Sequence, residues 1–285
     1  MLKKRGNRRP RALTLRKIFK KINSFDNSSI YYFVSKNNKS SEFLVLIHGI
    51  GCNNSLLRYE ESFFIYNKLN VINVDLRGHG FSENLKGKIS LEDFARDIYF
   101  ILKEEKATKV FLVGYSLGGF VSLKFYSLFP QFVKKMVMID ASYAINLKTL
   151  RPIFIFSGLF LFGLIILPMR AFSMHIKQDL DFSKYKWRKI FSILPLFGIS
   201  ISLKNLSYAI NAMIKEDLSH VLEEIKVPTL ILEDKRDFIF SKKSFNIEHE
   251  KISQSKLKII EGRHLSVLIK SEAIELEILN FIKSN

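Results

Sequence analysis

Residues 112–119 read Leu-Val-Gly-Tyr-Ser-Leu-Gly-Gly, a serine set among glycines at the close of an apolar run. Serine is a poor strand residue and a weak nucleophile, so a tight turn that presents one needs a packing reason or a chemical one. Gly114-Tyr115-Ser116-Leu117-Gly118 closes an expected strand and opens an expected helix. A strand-to-helix turn this sharp crowds its flanks, and glycine on both sides removes the clash. The serine is then expected in a strained conformation, its hydroxyl held at the helix N-terminus. Gly119 eases packing of the new helix.

Outward from this turn, short apolar runs ending in glycine or polar turns alternate with helix-like segments. Residues 42–49 (EFLVLIHG), 70–80 (NVINVDLRGHG), 109–116 (KVFLVGYS), 134–142 (KKMVMIDAS), 227–234 (VPTLILED) and 256–262 (KLKIIEG) read as strands apolar on both faces. Between them, residues 90–107 open with Ser90 as N-cap and Asp93 three positions later, and place Phe94, Ile98, Ile101 and Leu102 on one stripe. The segment after Ser116 and residues 271–283 are also helical in pattern. This alternation predicts an α/β fold, a mostly parallel central sheet with helices on both faces. Residues 35–42 (SKNNKSSE) read as a turn.

The alternation breaks at 143–224, which reads as helical and rejoins the sheet at Val227. An insertion at the carboxyl ends of strands sits over any site there, so it is expected to be a helical cap. The implied organisation is a basic arm over 1–25, a core over 26–142 and 225–285, and a cap over 143–224. Within the cap, residues 153–167 (IFIFSGLFLFGLIIL) carry no charge. At about 1.5 Å per residue they span about 22 Å of helix, too short for a hydrocarbon core of about 30 Å. They are expected to line an acyl pocket, with a segment dipping into a bilayer surface as the alternative. Phe154, Phe156, Phe160, Phe162 and Phe172 supply its aromatic surface.

The chain's 285 residues are 47% hydrophobic, enough for one large core with an insertion. A single cysteine, Cys52, excludes an intramolecular disulfide and fits a reducing, cytoplasmic compartment. The histidines, His48, His79, His175, His220, His249 and His264, contain no HxxxH pair, and no cofactor-binding glycine motif or P-loop is present, so neither metal nor cofactor is expected. Net charge is +18, and residues 1–25 hold ten Lys or Arg and no acid. Residues 13–22 (LTLRKIFKKI) place Leu15, Ile18, Phe19 and Ile22 at helical spacing beside Arg16, Lys17, Lys20 and Lys21, the pattern of a basic amphipathic surface helix. A solvated, frayed tail is the equal alternative, and a transit peptide shares the Arg-rich, acid-poor start. No uninterrupted apolar stretch follows it, so a secretory signal is not expected. An anionic membrane surface, met through 1–25 and 153–167, is the expected macromolecular partner and nucleic acid is not; the chain would then be peripheral at the membrane.

A serine nucleophile needs a base and a group that orients the base. His264 follows the last expected strand in IIEGRHLSVL, and Asp237 follows the strand at 229–232 in LILEDKRDFIF. The order Ser116, Asp237, His264 is that of α/β-hydrolases. From about Phe43 onward the chain resembles the α/β-hydrolase superfamily in its serine-nucleophile, helical-cap, esterase- or lipase-like branch. LIHGIG resembles that family's HGxG oxyanion segment, VDLRGHGFS its turn after the next strand, PTLILEDKRD its acid-bearing segment, and EGRHLSVLIKSEAIELEILNFI its terminal histidine and final helix. Two departures touch loop geometry: Glu233-Asp234 stands where a small residue is frequent, and Arg263 replaces a small residue before the histidine.

The resemblance implies Ser116 as nucleophile in a nucleophile elbow, His264 as base, Asp237 as orienting acid, and the backbone N–H groups of Ile50 and Leu117 as oxyanion donors. Asp234 and Asp140 are rival acids. Tyr115, Phe154, Phe156 and Phe160 are candidate substrate contacts. Structural roles are expected for His48, which shapes the oxyanion loop, for Asp75, Arg77 and His79, which brace their turn, and for Cys52, a small packed side chain. The expected chemistry is hydrolysis of carboxylic esters with apolar acyl groups, monoacylglycerol-like lipids among them. The same elbow serves peptidases, C–C hydrolases, acyltransferases and cofactor-free peroxidases, and a non-catalytic membrane-surface module keeps the fold without turnover.

Overall fold

The computed structural model describes residues 17–83, 87–145, 201–237, 239–262, 264, 267 and 271–284. Eight strands form one sheet: β1 (Ile18–Asn23), β2 (Ser29–Ser35), β3 (Glu42–Ile47), β4 (Val71–Val74), β5 (Lys109–Tyr115), β6 (Val133–Ile139), β7 (Thr229–Asp234) and β8 (Ser255–Ile260). Their spatial order is β1-β2-β4-β3-β5-β6-β7-β8. From β4 to β8 every pairing is parallel, and β2 runs antiparallel to both β1 and β4.

Both faces of the inner parallel strands are apolar because both are covered; edge strand β8 departs from the expectation for 256–262, being partly exposed along its length with Ile259 at the surface. Val45, Ile47, Leu112, Met136, Met138 and Ile231 point into one core cluster, with α2 (Leu91–Glu104) and α3 (Leu117–Leu128) above them. Their neighbours Leu44, Leu46, Val113, Val137, Leu230 and Leu232 point the other way, against α1 (Arg58–Tyr66) and α6 (Ser271–Lys283). The start of α2 is fixed by a reciprocal cap: Ser90 Oγ accepts from the Asp93 N–H, while Asp93 accepts from the Ser90 N–H at 2.7 Å.

The N-terminal segment departs from the helix its spacing suggests. Residues 13–16 lie outside the described residues, and Ile18–Asn23 form edge strand β1, paired from Ile18↔Val34 to Asn23↔Ser29. Two isoleucines and a phenylalanine favour a strand once β2 offers its backbone groups, and ten residues are too few for periodicity alone to decide. Residues 17–25 therefore belong to the folded core. Ser24 Oγ donates to Asp97 at 2.5 Å, and the β1–β2 turn carries Asp26 to Arg77.

Arg77, in the turn after β4, forks onto Asp97 of α2 at 2.6 and 2.5 Å and reaches Asp26 at 3.0 Å. Arg77 and Asp97 are both buried. Removing one partner of a buried pair strands the other charge. Arg77→Ala is expected to lower the free energy of unfolding by about 3–5 kcal/mol in urea titrations; a loss below about 1 kcal/mol, the range of exposed pairs, contradicts that role.

Asp75 braces the same turn, accepting from the Asn54 N–H and side-chain amide, each at 2.7 Å, and from the Phe81 N–H at 3.0 Å. The part of 143–224 among the described residues is helical: α4 (Leu203–Lys215) and a one-turn helix at Ser219–Leu222. Asn205 of α4 donates to the Gly78 carbonyl at 3.0 Å, fixing this helix beside the turn after β4. The apolar segment 153–167 lies outside the described residues. Among the described residues no helix is long and apolar enough to cross a membrane.

Candidate active site

The connections place the site. After β3 the chain builds outward to β4, then returns across the sheet to β5 on the other flank of β3. The loops after β3 and β5 thus part in opposite directions, and the crevice between them is where ligands of open α/β sheets bind. Ser116 lies there, directly after β5.

Ser116 has φ 51° and ψ −113°, a strained conformation for a residue with a side chain. Its neighbours hold it there. The Ser116 N–H donates to the Ile139 carbonyl at 2.9 Å, and its own carbonyl accepts from the Gly119 N–H at 2.9 Å. A Cβ on Gly114 would lie 2.3 Å from the Gly118 carbonyl oxygen, and one on Gly118 would lie 2.1 Å from that of Ile47. Both glycines are therefore required by backbone closeness. The loop after β3 passes against the serine, since a Cβ on Gly49 would lie 3.3 Å from the Ser116 Cβ. Ile50 follows in that loop, and Leu117 is the first residue of α3.

His264 and Asp237, the expected base and acid, arrive on neighbouring loops. Beyond the ends of β7 and β8, the Lys235 N–H donates to the Ile260 carbonyl at 2.8 Å and the Arg236 N–H to that of Gly262 at 3.2 Å. These bonds prolong the β7–β8 pairing and bring residues 237 and 264 together. His264 Nδ1 lies 2.8 Å from Asp237 Oδ2, and His264 Nε2 lies 3.2 Å from Ser116 Oγ. Asp237 Oδ1 accepts from the backbone N–H groups of Ile239 and Phe240 at 2.6 and 2.9 Å. With Oδ1 occupied by two donors, the carboxylate is fixed with Oδ2 towards the imidazole. That bond assigns the proton to Nδ1 and leaves Nε2 facing the hydroxyl as an acceptor. The side chains of His264 and Asp237 are 6% and 1% exposed, so little water competes for the contact.

The rival acids stand one step back. Asp140, at the end of β6, has φ 44° and accepts from the Asp234 N–H at 2.8 Å. Burial, and then the neighbouring Asp234 carboxylate, push its pKa up to about 10, so Asp140 is a neutral acid at pH 7. Asp140, Asp237 and His264 each place a potential donor atom within 4.8 Å of the others, yet the latter two are already joined to each other.

Tyr115 belongs elsewhere than among the substrate contacts. Strand alternation turns it to the α1–α6 side of the sheet, where it is 2% exposed. Its hydroxyl donates to the His264 carbonyl at 2.5 Å, and its ring packs under Gly49, where a Cβ would lie 2.9 Å away. It is an anchor for the histidine loop, a role the sequence carries only through the period-two alternation of Val113 and Tyr115. Phe154, Phe156 and Phe160 lie outside the described residues.

His48 and His79 are buried beside each other, ring centroids 5.2 Å apart. Burial lowers their pKa values to about 3 and about 4, so both are neutral at pH 7. His48 Nδ1 bonds the Gly49 carbonyl at 2.7 Å, and its Nε2 accepts from the Leu76 N–H at 3.1 Å, linking the loops after β3 and β4. Cys52 is buried, and burial raises its thiol pKa far above the range of a thiolate nucleophile.

Among solved structures, an esterase from Exiguobacterium antarcticum superposes with a TM-score of 0.77 at 22% identity, covering 94% of this chain and 100% of that one. A Rhodococcus esterase superposes with a TM-score of 0.76 at 20% identity, covering 93% and 98%. Residues 42–162 match the family described as alpha/beta hydrolase fold. Over these residues the chain is similar to the α/β-hydrolase superfamily. A putative esterase/lipase of Haemophilus influenzae is 28% identical over 138 residues, 44% of this chain and 47% of that protein. Protein phosphatase methylesterase 1 of Candida albicans is 30% identical over 115 residues, 39% of this chain and 31% of that protein. The chain thus spans less than half the length of these curated relatives.

Proposed function

We propose that this protein cleaves carboxylic esters through an acyl-enzyme on Ser116. The observation that carries the proposal is the continuous contact from Ser116 Oγ through the His264 ring to Asp237, at 3.2 and 2.8 Å. Ser116 Oγ attacks the ester carbonyl as His264 Nε2 accepts its proton. The tetrahedral intermediate collapses, the C–O bond to the alcohol breaks, and Nε2 returns the proton to the leaving oxygen. Water then attacks the acyl-enzyme, its proton passing to Nε2 and on to Ser116 as the acid departs. Asp237 keeps the Nδ1 proton in place and stabilises the imidazolium. The N–H groups of Leu117 and Ile50 are assigned to the oxyanion, a contribution of about 3 kcal/mol per donor. Backbone donation asks nothing of the side chains at these two positions, whereas a Cβ on Gly118 would lie 2.1 Å from the Ile47 carbonyl oxygen.

The acyl group is assigned an apolar chain because residues 153–167, inserted after β6, are uncharged and rich in Phe. Purified protein should therefore hydrolyse a p-nitrophenyl ester series with kcat/KM rising about fourfold per added methylene, equivalent to about 0.8 kcal/mol, until the pocket is filled. A series that falls from acetate onward contradicts the acyl-pocket assignment.

A further inference from the structure

Two aromatic rings flank the imidazole of His264. The Tyr115 ring lies 5.5 Å from it between centroids and the Phe240 ring 5.7 Å, tilted at 38° and 51°. Tyr115 belongs to the core cluster on the α1–α6 side of the sheet and Phe240 to the cluster on the α2–α3 side, so each core sends one ring to the histidine. Phe240 is 7% exposed and is itself held. Its ring lies 5.9 Å from that of Phe120 in α3, the helix that begins directly after Ser116, and 6.4 Å from that of Phe245 in α5 (Lys242–Lys251). The Phe240 N–H meanwhile donates to Asp237 Oδ1 at 2.9 Å. One residue thus meets the acid with its backbone, the imidazole with its ring, and the helix of the serine through Phe120.

We propose that Phe240 is a positioning residue for His264, its ring holding the imidazole in the orientation that carries a proton between Ser116 and the leaving group. This role rests on the esterase reading of Ser116, His264 and Asp237, and it acts only through the histidine. Its physical ground is a freedom that the hydrogen bonds leave open. Contacts at Nδ1 and Nε2, 2.8 and 3.2 Å long, fix a line through the imidazole, but hydrogen-bond angles are broad and resist rocking about that line only weakly. A ring packed against the imidazole and backed by Phe120 and Phe245 blocks the rocking. Leucine at 240 keeps the site apolar but gives up the outer ring atoms, which leaves the imidazole room to turn. Methionine refills the space with a flexible chain that positions poorly.

The test is made on the full-length protein with p-nitrophenyl butyrate. Phe240→Leu and Phe240→Met are expected to lower kcat by roughly 10- to 100-fold, the cost of misplacing a catalytic group by about an ångström, with KM held within about twofold. Phe240→Tyr, which keeps the ring, should stay within about threefold of wild-type kcat. Phe245→Leu serves as the packing control. It removes a fully buried ring from the same aromatic group, so it should lose at least as much thermal stability as Phe240→Leu while keeping kcat within about threefold. A second readout is independent of turnover. With nitrogen-15-labelled histidine, and the His264 signals identified by His264→Gln, wild type should show one sharp signal with the proton on Nδ1. That signal should broaden or split in Phe240→Leu and remain sharp in Phe245→Leu. The role is overturned if the folded leucine and methionine variants keep more than about half of wild-type kcat, or if the loss falls on KM, as for a substrate contact. It is equally overturned if Phe245→Leu loses as much kcat, or if the imidazole signal ignores Phe240→Leu. A wild type without ester turnover whose imidazole still responds to Phe240→Leu would end the esterase reading alone; an active wild type whose imidazole and kcat do not respond would end the positioning role alone.

Discussion

Ser116→Ala is expected to lower ester turnover by roughly 10⁴–10⁶-fold, leaving a folded protein with an unchanged melting temperature. The fold survives because alanine keeps the Cβ that serine already places at φ 51°, and the bonds to the Ile139 carbonyl and from the Gly119 N–H involve the backbone alone. Only the hydroxyl 3.2 Å from His264 Nε2 is removed. A variant that retains more than about a tenth of wild-type turnover, a barrier change under about 1.4 kcal/mol, would remove the serine from the chemistry.

The second large effect separates two buried aspartates. In Asp237→Asn the amide oxygen can still accept from the N–H groups of Ile239 and Phe240, so its nitrogen must turn to the imidazole. An N–H facing Nδ1 forces the histidine into the tautomer that carries its proton on Nε2, where it cannot accept from Ser116. A loss of about 10⁴-fold in kcat is expected. Asp140→Asn should instead leave turnover within a few-fold, because Asp140 is already neutral and its bond from the Asp234 N–H needs only an oxygen. Its signature lies in stability. The folded-state pKa of Asp140 is raised from 3.8 to about 10, so the folded state holds a proton the unfolded chain releases. That residue's contribution is full below the unfolded value and declines as pH rises through the interval up to about 10. Asp140→Asn therefore flattens the fall in stability between pH 5 and pH 9, measured by urea titration at each end. The opposite pattern, with turnover lost at 140 and kept at 237, would move the orienting acid to the end of β6.

What could be read from the sequence divides along the sheet. The inner parallel strands were legible because burial on both faces makes near-continuous apolar runs, and the elbow because its glycines are dictated by backbone distances that one side chain would violate. The hairpin β1–β2 was not. Its Lys-rich first strand repeats apolar residues at a spacing shared by helix and strand, and only the partner strand, supplied by the fold, decides. The run Ile30–Tyr31–Tyr32–Phe33–Val34 was the available signal for that partner, being aromatic and β-branched throughout. The place of Tyr115 is hidden from the sequence for a related reason. Adjacency to the serine suggests the pocket, whereas alternation along β5 sends its ring to the opposite face, where it holds His264 by the carbonyl. The choice of Asp237 over Asp140 depends on two N–H donors at 239 and 240 that no spacing rule displays.

The most direct test of the central claim is intact-mass and peptide analysis after treatment with a fluorophosphonate. One adduct per chain is expected, located on Ser116, formed in wild type and suppressed in His264→Ala. An unmodified protein, or an adduct on another residue at the same rate in both proteins, would contradict it.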